Sequence, residues 1–103
     1  MNQLNSIILE GSVAADKQFV EAENSFLKFP LQVVRNSKLA DGTSLKEVST
    51  FNVEAYGRMA EVCNLNCNEG TEIRVVGRLK EKNGNVSVVA EHIEIKPSFG
   101  KKY

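Results

Sequence analysis

Asn52, Glu54 and Tyr56 fall at alternate positions, and so do Arg78, Lys80 and Lys82, with Arg74 four residues before them. In an extended chain alternate side chains share a face, so each set projects to one side, and together they collect cations around a tyrosine ring. That surface suits an anionic partner. The formal net charge is zero, from 13 basic and 13 acidic residues. A polycation that holds nucleic acid by bulk charge is therefore excluded, and any such binding must come from where the charges sit. A basic stripe is by default a solvated face, and Glu54, Glu72 and Glu81 lie close enough in sequence to oppose phosphate.

Other reactive residue types offer less. Cys63 and Cys67 sit one helical turn apart, where a disulfide would be poorly placed and would close too small a loop to stabilise much; both read as reduced, half-buried helix residues. His92 is the single histidine, too few for a metal site with those cysteines. No nucleophile stands beside a base, and GRLKEKNG lacks the lysine-serine ending of a phosphate loop. The chain reads as neither an enzyme nor a carrier of a cofactor or metal.

The elements that position these residues follow from periodicity. Thr50 to Tyr56 alternates as a strand, with Phe51, Val53 and Ala55 inward. Gly57 breaks it, and Arg58 to Cys67 carries Met59, Val62, Cys63 and Cys67 at helical spacing before Gly70. A further strand follows, with Ile73, Val75 and Leu79 inward. Upstream, Ser6 to Val13 reads as a buried strand that bends at Gly11, and AADKQFVEAENS as a connecting loop pinned by Phe19 and Val20. Phe26 to Arg35 alternates with Leu27, Phe29, Leu31 and Val33 inward, and Pro30 argues for a bulge or a free edge. Phe26 has the opposite parity, suited to stacking or to packing under a loop. Asp41-Gly42 marks a protruding hairpin or loop, and Asn83-Gly84-Asn85 a tight turn. The last strand, Val86 to Ile95, changes phase, which predicts a bulge near Glu91 and His92.

Five strands with one short helix between the third and fourth is the layout of an oligonucleotide/oligosaccharide-binding (OB) barrel, an all-β fold. The 103 residues suit one domain, expected over residues 1–96, with 97–103 as a flexible tail. No apolar run approaches a membrane span, and the start lacks the basic region of a secretion signal, so the expected location is cytoplasmic.

The segments LNSIILEGSV, FNVEAYGRMAE, GTEIRVVGRLK and VVAEHIEI, in this order and spacing, resemble the bacterial single-stranded-DNA-binding protein family over nearly the whole chain. The resemblance implies an OB barrel that binds single-stranded DNA on one face with little sequence preference, in replication, recombination and repair. It also implies a homotetramer or homodimer at the nucleoid, with replication or repair proteins as partners. In such binding, bases stack on aromatic rings while Lys and Arg follow the phosphates. Carried over position by position, Tyr56 takes the place of the family's aromatic, Lys80 and Lys82 fall at its basic positions, and Asn52 shares the face of Tyr56. The DNA-binding set is then Tyr56, Asn52, Arg74, Arg78, Lys80 and Lys82, with Lys28 and Arg35 extending the track.

The chain also departs from the family. Thr50 and the region of Ser37 and Lys38 lack the family's large aromatics, and the long loop between the last strands is only the Asn83-Gly84-Asn85 turn. With each stacking contact worth about 1–3 kcal/mol, losing two implies binding at least roughly thirtyfold weaker and more salt-sensitive. The family's acidic, Phe-ended tail has no counterpart in SFGKKY, which implies a trimmed or tailless relative. The alternative is an OB-fold adaptor paralogue of the primosomal or mobile-element kind, acting mainly through protein partners with weak nucleic-acid binding.

Overall fold

The computed structural model describes residues 2–96; the tail expected at 97–103 lies outside the described residues. In chain order the elements are β1 (Ile7–Val13), β2 (Gln18–Val20), β3 (Phe26–Lys38), β4 (Ser44–Tyr56), α1 (Gly57–Asn66), β5 (Glu72–Lys82) and β6 (Asn85–Ile95). Five long strands form the OB barrel, and α1 falls between the third and fourth of them. The short β2 corrects the expected connecting loop. Its three residues add to the edge of β3, pairing Gln18 with Lys28 and Val20 with Phe26.

The sheet runs β1-β5-β6-β4-β3-β2, and an additional β1–β3 pairing closes it on itself. Closure leaves few free strand edges, which is how a small sheet avoids edge-to-edge association. Two of the junctions are short. β4 and β6 meet in parallel at Val53↔Val88 and Glu54↔Val89, and β1 meets β3 at Ser12↔Gln32 and Val13↔Leu31. β1 takes up β3 just after Gly11, with Ser12 paired to both Glu72 of β5 and Gln32 of β3; a Cβ at Gly11 would stand 2.3 Å from the Gln32 carbonyl oxygen, so only glycine allows this close approach. Pro30 accepts from the Ala14 amide on the stretch of β3 edge between the β1 and β2 pairings, so its missing donor falls on a free part of that edge, with no bulge in the β3–β4 ladder.

The inward positions follow the alternation. Leu27, Phe29 and Leu31 of β3 pack with Val53 and Ala55 of β4, Ile73 and Val75 of β5, and Val88 and Ala90 of β6. Ala60, Cys63 and Cys67 from α1 and its C-cap complete this core. Burying each large aliphatic or aromatic side chain contributes about 1.5–3 kcal/mol. Cys63 and Cys67 are free thiols and are more buried than half-buried helix residues would be. The Lys17 ammonium donates to the Asn64 and Cys67 carbonyls at 2.6 and 2.7 Å, which caps the C-terminal end of α1.

The phase change in the last strand is a bulge. Val76 faces His92 and Gly77 faces Ala90, so Glu91 is the extra residue. Two expected core residues are corrected. Phe51 and Leu79 have inward parity but are 38% and 41% exposed. Each lies where its strand runs past the end of the barrel: β3 and β4 continue as a two-stranded arm to the turn at residues 39–43, and β5 and β6 as a shorter one to Asn83-Gly84. Alternation sets which way a side chain points, and burial also needs an element opposite it.

Candidate nucleic-acid interface

The unbroken β3–β4 ladder places Phe26 opposite Tyr56, Lys28 opposite Glu54 and Pro30 opposite Asn52. Directly opposed residues share a face, so these six side chains lie on the outer surface of the barrel. The Tyr56 and Phe26 rings are 5.2 Å apart between centroids and tilted by 46°. This is a favourable aromatic geometry that holds each ring against rotation. Tyr56 remains 37% exposed, so part of its face is open to a partner.

Glu54 organises the group. It is only 8% exposed, and its Oε1 accepts from the Tyr56 hydroxyl at 2.9 Å and from the Lys80 ammonium at 2.8 Å. Burial pushes the Glu54 carboxyl up, but the hydrogen bonds from Lys80 and Tyr56 and the Lys80 charge outweigh it and hold the group below its ordinary 4.5. Conversely, burial and the bond to Glu54 raise the Tyr56 phenol, and the Glu54 carboxylate raises Lys80. At neutral pH the centre of the face is an ionised carboxylate bridging a ring and a cation.

Lys80 belongs to β5, and β5 neighbours β6 rather than β4, so its side chain reaches Glu54 across β6. The ladder pairs Arg78 with Val89, Lys80 with Ser87 and Lys82 with Asn85, and Val89 stands beside Glu54 in β4. Arg78, Lys80 and Lys82 therefore share the face of Asn52 and Tyr56, as does Lys28 from β3. Arg74 and Arg35 are not brought to this cluster. Arg74 lies beyond the bulge, donating to Glu10 at 2.7 Å and Glu94 at 3.3 Å. Arg35 sits opposite Glu47 on the β3–β4 arm, at a position with the parity of Leu27 and Phe29 rather than of Lys28. Arg78 is itself paired with Glu91 at 3.4 Å.

Sequence reasoning left open whether Phe26 joins Tyr56. The signal was present in the turn: in an unbroken hairpin centred on Asp41, counting outward along both arms sets residue 26 opposite 56. The Glu54 bridge to Lys80 was not legible, since it depends on how closely β6 carries β5 to β4. Among the described residues no group of three or more His, Cys, Asp or Glu side chains is placed to hold a metal ion.

Comparison with known proteins gives a consistent result. The profile of the single-strand binding protein family matches residues 4–95. A single-stranded DNA-binding protein of Wolinella succinogenes is 28% identical over 107 aligned positions, covering 93% of this chain and 66% of that protein. Another, of Helicobacter hepaticus, is 29% identical over 83 positions, covering 79% of this chain and 49% of its own length. The chain thus spans about half to two thirds of the curated relatives it matches. Among solved structures, a deletion mutant of the single-stranded DNA binding protein from Thermus aquaticus aligns over 94% of this chain and 52% of that one, with a TM-score of 0.78 and 26% identity.

Proposed function

The chain belongs to the single-strand binding protein family, and from that premise we propose that it binds single-stranded DNA reversibly and largely independently of sequence. The observation that carries this reading is the Phe26–Tyr56 ring pair on an outer face that also bears Lys28, Lys80 and Asn52. A base stacks on the open part of the Tyr56 ring, and the cations of β3 and β5 follow the phosphates on either side. Arg78 and Lys82 extend the track along β5; Arg74 and Arg35 lie away from it and add little. The natural setting proposed is cytoplasmic, at the nucleoid, with replication or repair proteins as partners.

We also propose a homodimer or homotetramer. Ile8 of β1 is 65% exposed on the outside of the barrel, and a second copy covering it removes apolar surface from water. Sedimentation as a sharp monomer at micromolar concentration overturns this. Titrating labelled oligo-dT and a duplex of equal length at two salt concentrations tests the binding itself. Tighter, salt-dependent binding of the single strand is expected, and equal affinity for both rejects the proposal.

One observation favours the adaptor as a second reading. Arg74, Arg78 and Lys80 are each already paired with a carboxylate, so each gives up an internal partner to meet phosphate. An adaptor shows little loss of oligonucleotide affinity on Tyr56→Ala.

A further inference from the structure

The helix that follows Tyr56 ends in a pair of thiols that strand binding leaves unused. Cys63 lies in α1 and Cys67 is its C-cap; both are buried and neither is in a disulfide. Side chains one turn apart in a continuous helix stand about 5–6 Å apart at Cβ, too far for a disulfide. Cys67, however, has left the helix. Its amide still donates to the Cys63 carbonyl at 2.8 Å, but its φ of −107° and ψ of 105° are extended, and its sulfur stands 3.0 Å from Cys63 Sγ. That gap is only about 1 Å longer than an S–S bond of about 2.05 Å.

Two further observations bear on reactivity. The Cys63 thiol donates to Cys67 Sγ, and this bond, helped by the Lys17 charge, holds the Cys67 thiol below its ordinary 9.0 against the effect of burial. A groove of about 330 Å³ also runs between α1 and the end of β6, lined by Met59, Val62, Ile93 and Ile95 and reaching Cys63. It shares no lining residue with the group of Phe26, Lys28, Asn52, Tyr56 and Lys80.

We propose that Cys63 and Cys67 form a reversible dithiol site, oxidised to an intramolecular disulfide by a low-molecular-weight disulfide that enters along the groove. This does not depend on the single-strand reading. Loss of one proton leaves the other shared between the two sulfurs, so the thiolate is presented at Cys63 on the groove wall. Cys63 Sγ attacks one sulfur of the entering disulfide. A mixed disulfide forms, the entering S–S bond breaks, and the first small thiolate leaves with the proton the pair released. Cys67 then attacks Cys63 Sγ; the bond between the cysteines forms, the mixed one breaks, and the second small thiolate takes up the remaining proton. Two protein thiols are oxidised, and one small disulfide is reduced to two thiols. Excess small thiol drives the same steps backwards. The loop closed is short, so the bond adds little stability and acts as a record of the surrounding thiol–disulfide balance.

The test incubates the intact protein with 2-hydroxyethyl disulfide, alkylates the remaining thiols with a maleimide in urea, and weighs the chain. Loss of both reactive thiols with a mass lower by two hydrogens is expected, and dithiothreitol should restore both. Val62→Trp, at an exposed helix position on the groove wall, should slow the reaction several-fold while its circular dichroism matches the parent's. The chain unfolded in urea serves as the control for intrinsic thiol reactivity. Thiols that stay intact in the folded protein while the unfolded chain is oxidised overturn the proposal. So does an adduct that persists on one cysteine, a disulfide between two chains, or a folded Val62→Trp that reacts as fast as the parent.

Discussion

The Tyr56 hydroxyl is held by the Glu54 carboxylate, 2.9 Å from Oε1, through the same oxygen that receives the Lys80 ammonium. A ring and a cation that could both meet a nucleic acid are thus tied to one largely covered acid. The tie fixes the ring with its face outward, and it also holds negative charge where phosphates would pass.

Removing the ring and releasing the ring are therefore different changes. Tyr56→Ala is expected to weaken binding of a single-stranded oligonucleotide by about 5- to 150-fold, the range for one lost stacking contact. Tyr56→Phe keeps the ring and loses only the hydroxyl bond, so its affinity should stay within a few-fold of the parent. Anisotropy titrations of both variants at one salt concentration separate the two effects.

Glu54→Gln should act in the opposite direction. It removes the charge that opposes phosphate and frees Lys80, which is itself exposed enough to tolerate the loss of its partner. Affinity is expected to rise several-fold. The slope of log K against log salt should steepen by about 0.7, the value of one added phosphate contact on a single strand. An unchanged slope would show that Lys80 does not meet the backbone.

Acid should loosen the fold partly through the same carboxylate. Its pKa in the folded protein lies below the ordinary 4.5, so the stability it contributes is fully present above about that pH and is lost as pH falls through the lower folded value. Glu10, held down by the Arg74 hydrogen bond, acts with the same sign. Thermal melts from pH 6 to pH 3 should show a shallower fall for Glu54→Gln than for the parent.

Gly77→Ala should damage the barrel itself. A Cβ there would lie 2.1 Å from the Val89 carbonyl oxygen, on the strand that joins β5 to β4. Backbone sits on both sides of the contact, so neither strand can yield cheaply. A loss of about 3 kcal/mol or more is expected, read from denaturant unfolding. The same change at Gly42, with open space around it, should cost less and only through its φ of 90°.

What was legible in the sequence depended on short-range rules. An apolar run marked the first long strand and alternation the other four, the Asp41-Gly42 turn set the hairpin, and the change of phase after Ala90 marked the bulge at Glu91. The misplaced residues, Phe51 and Leu79, obey alternation but are only partly covered, which only the barrel's dimensions decide. The same limit applies to the candidate site. Shared parity on one strand grouped Arg74 with Lys80, yet the bulge and the Glu10 contact hold Arg74 apart, while Lys80 and Glu54 met across a strand that neither belongs to.

β4 touches β6 through two residue pairs, and β1 touches β3 through two more. The barrel is thus a pair of half-shells: β2, β3 and β4 carry Tyr56, Phe26 and Lys28, and β1, β5 and β6 carry Lys80, Arg78 and Lys82. The gap between ring and ammonium is a caliper whose jaws belong to different shells. A strand gripping both acts as a clasp, and amide exchange at Val53 and Val88 should slow when it closes.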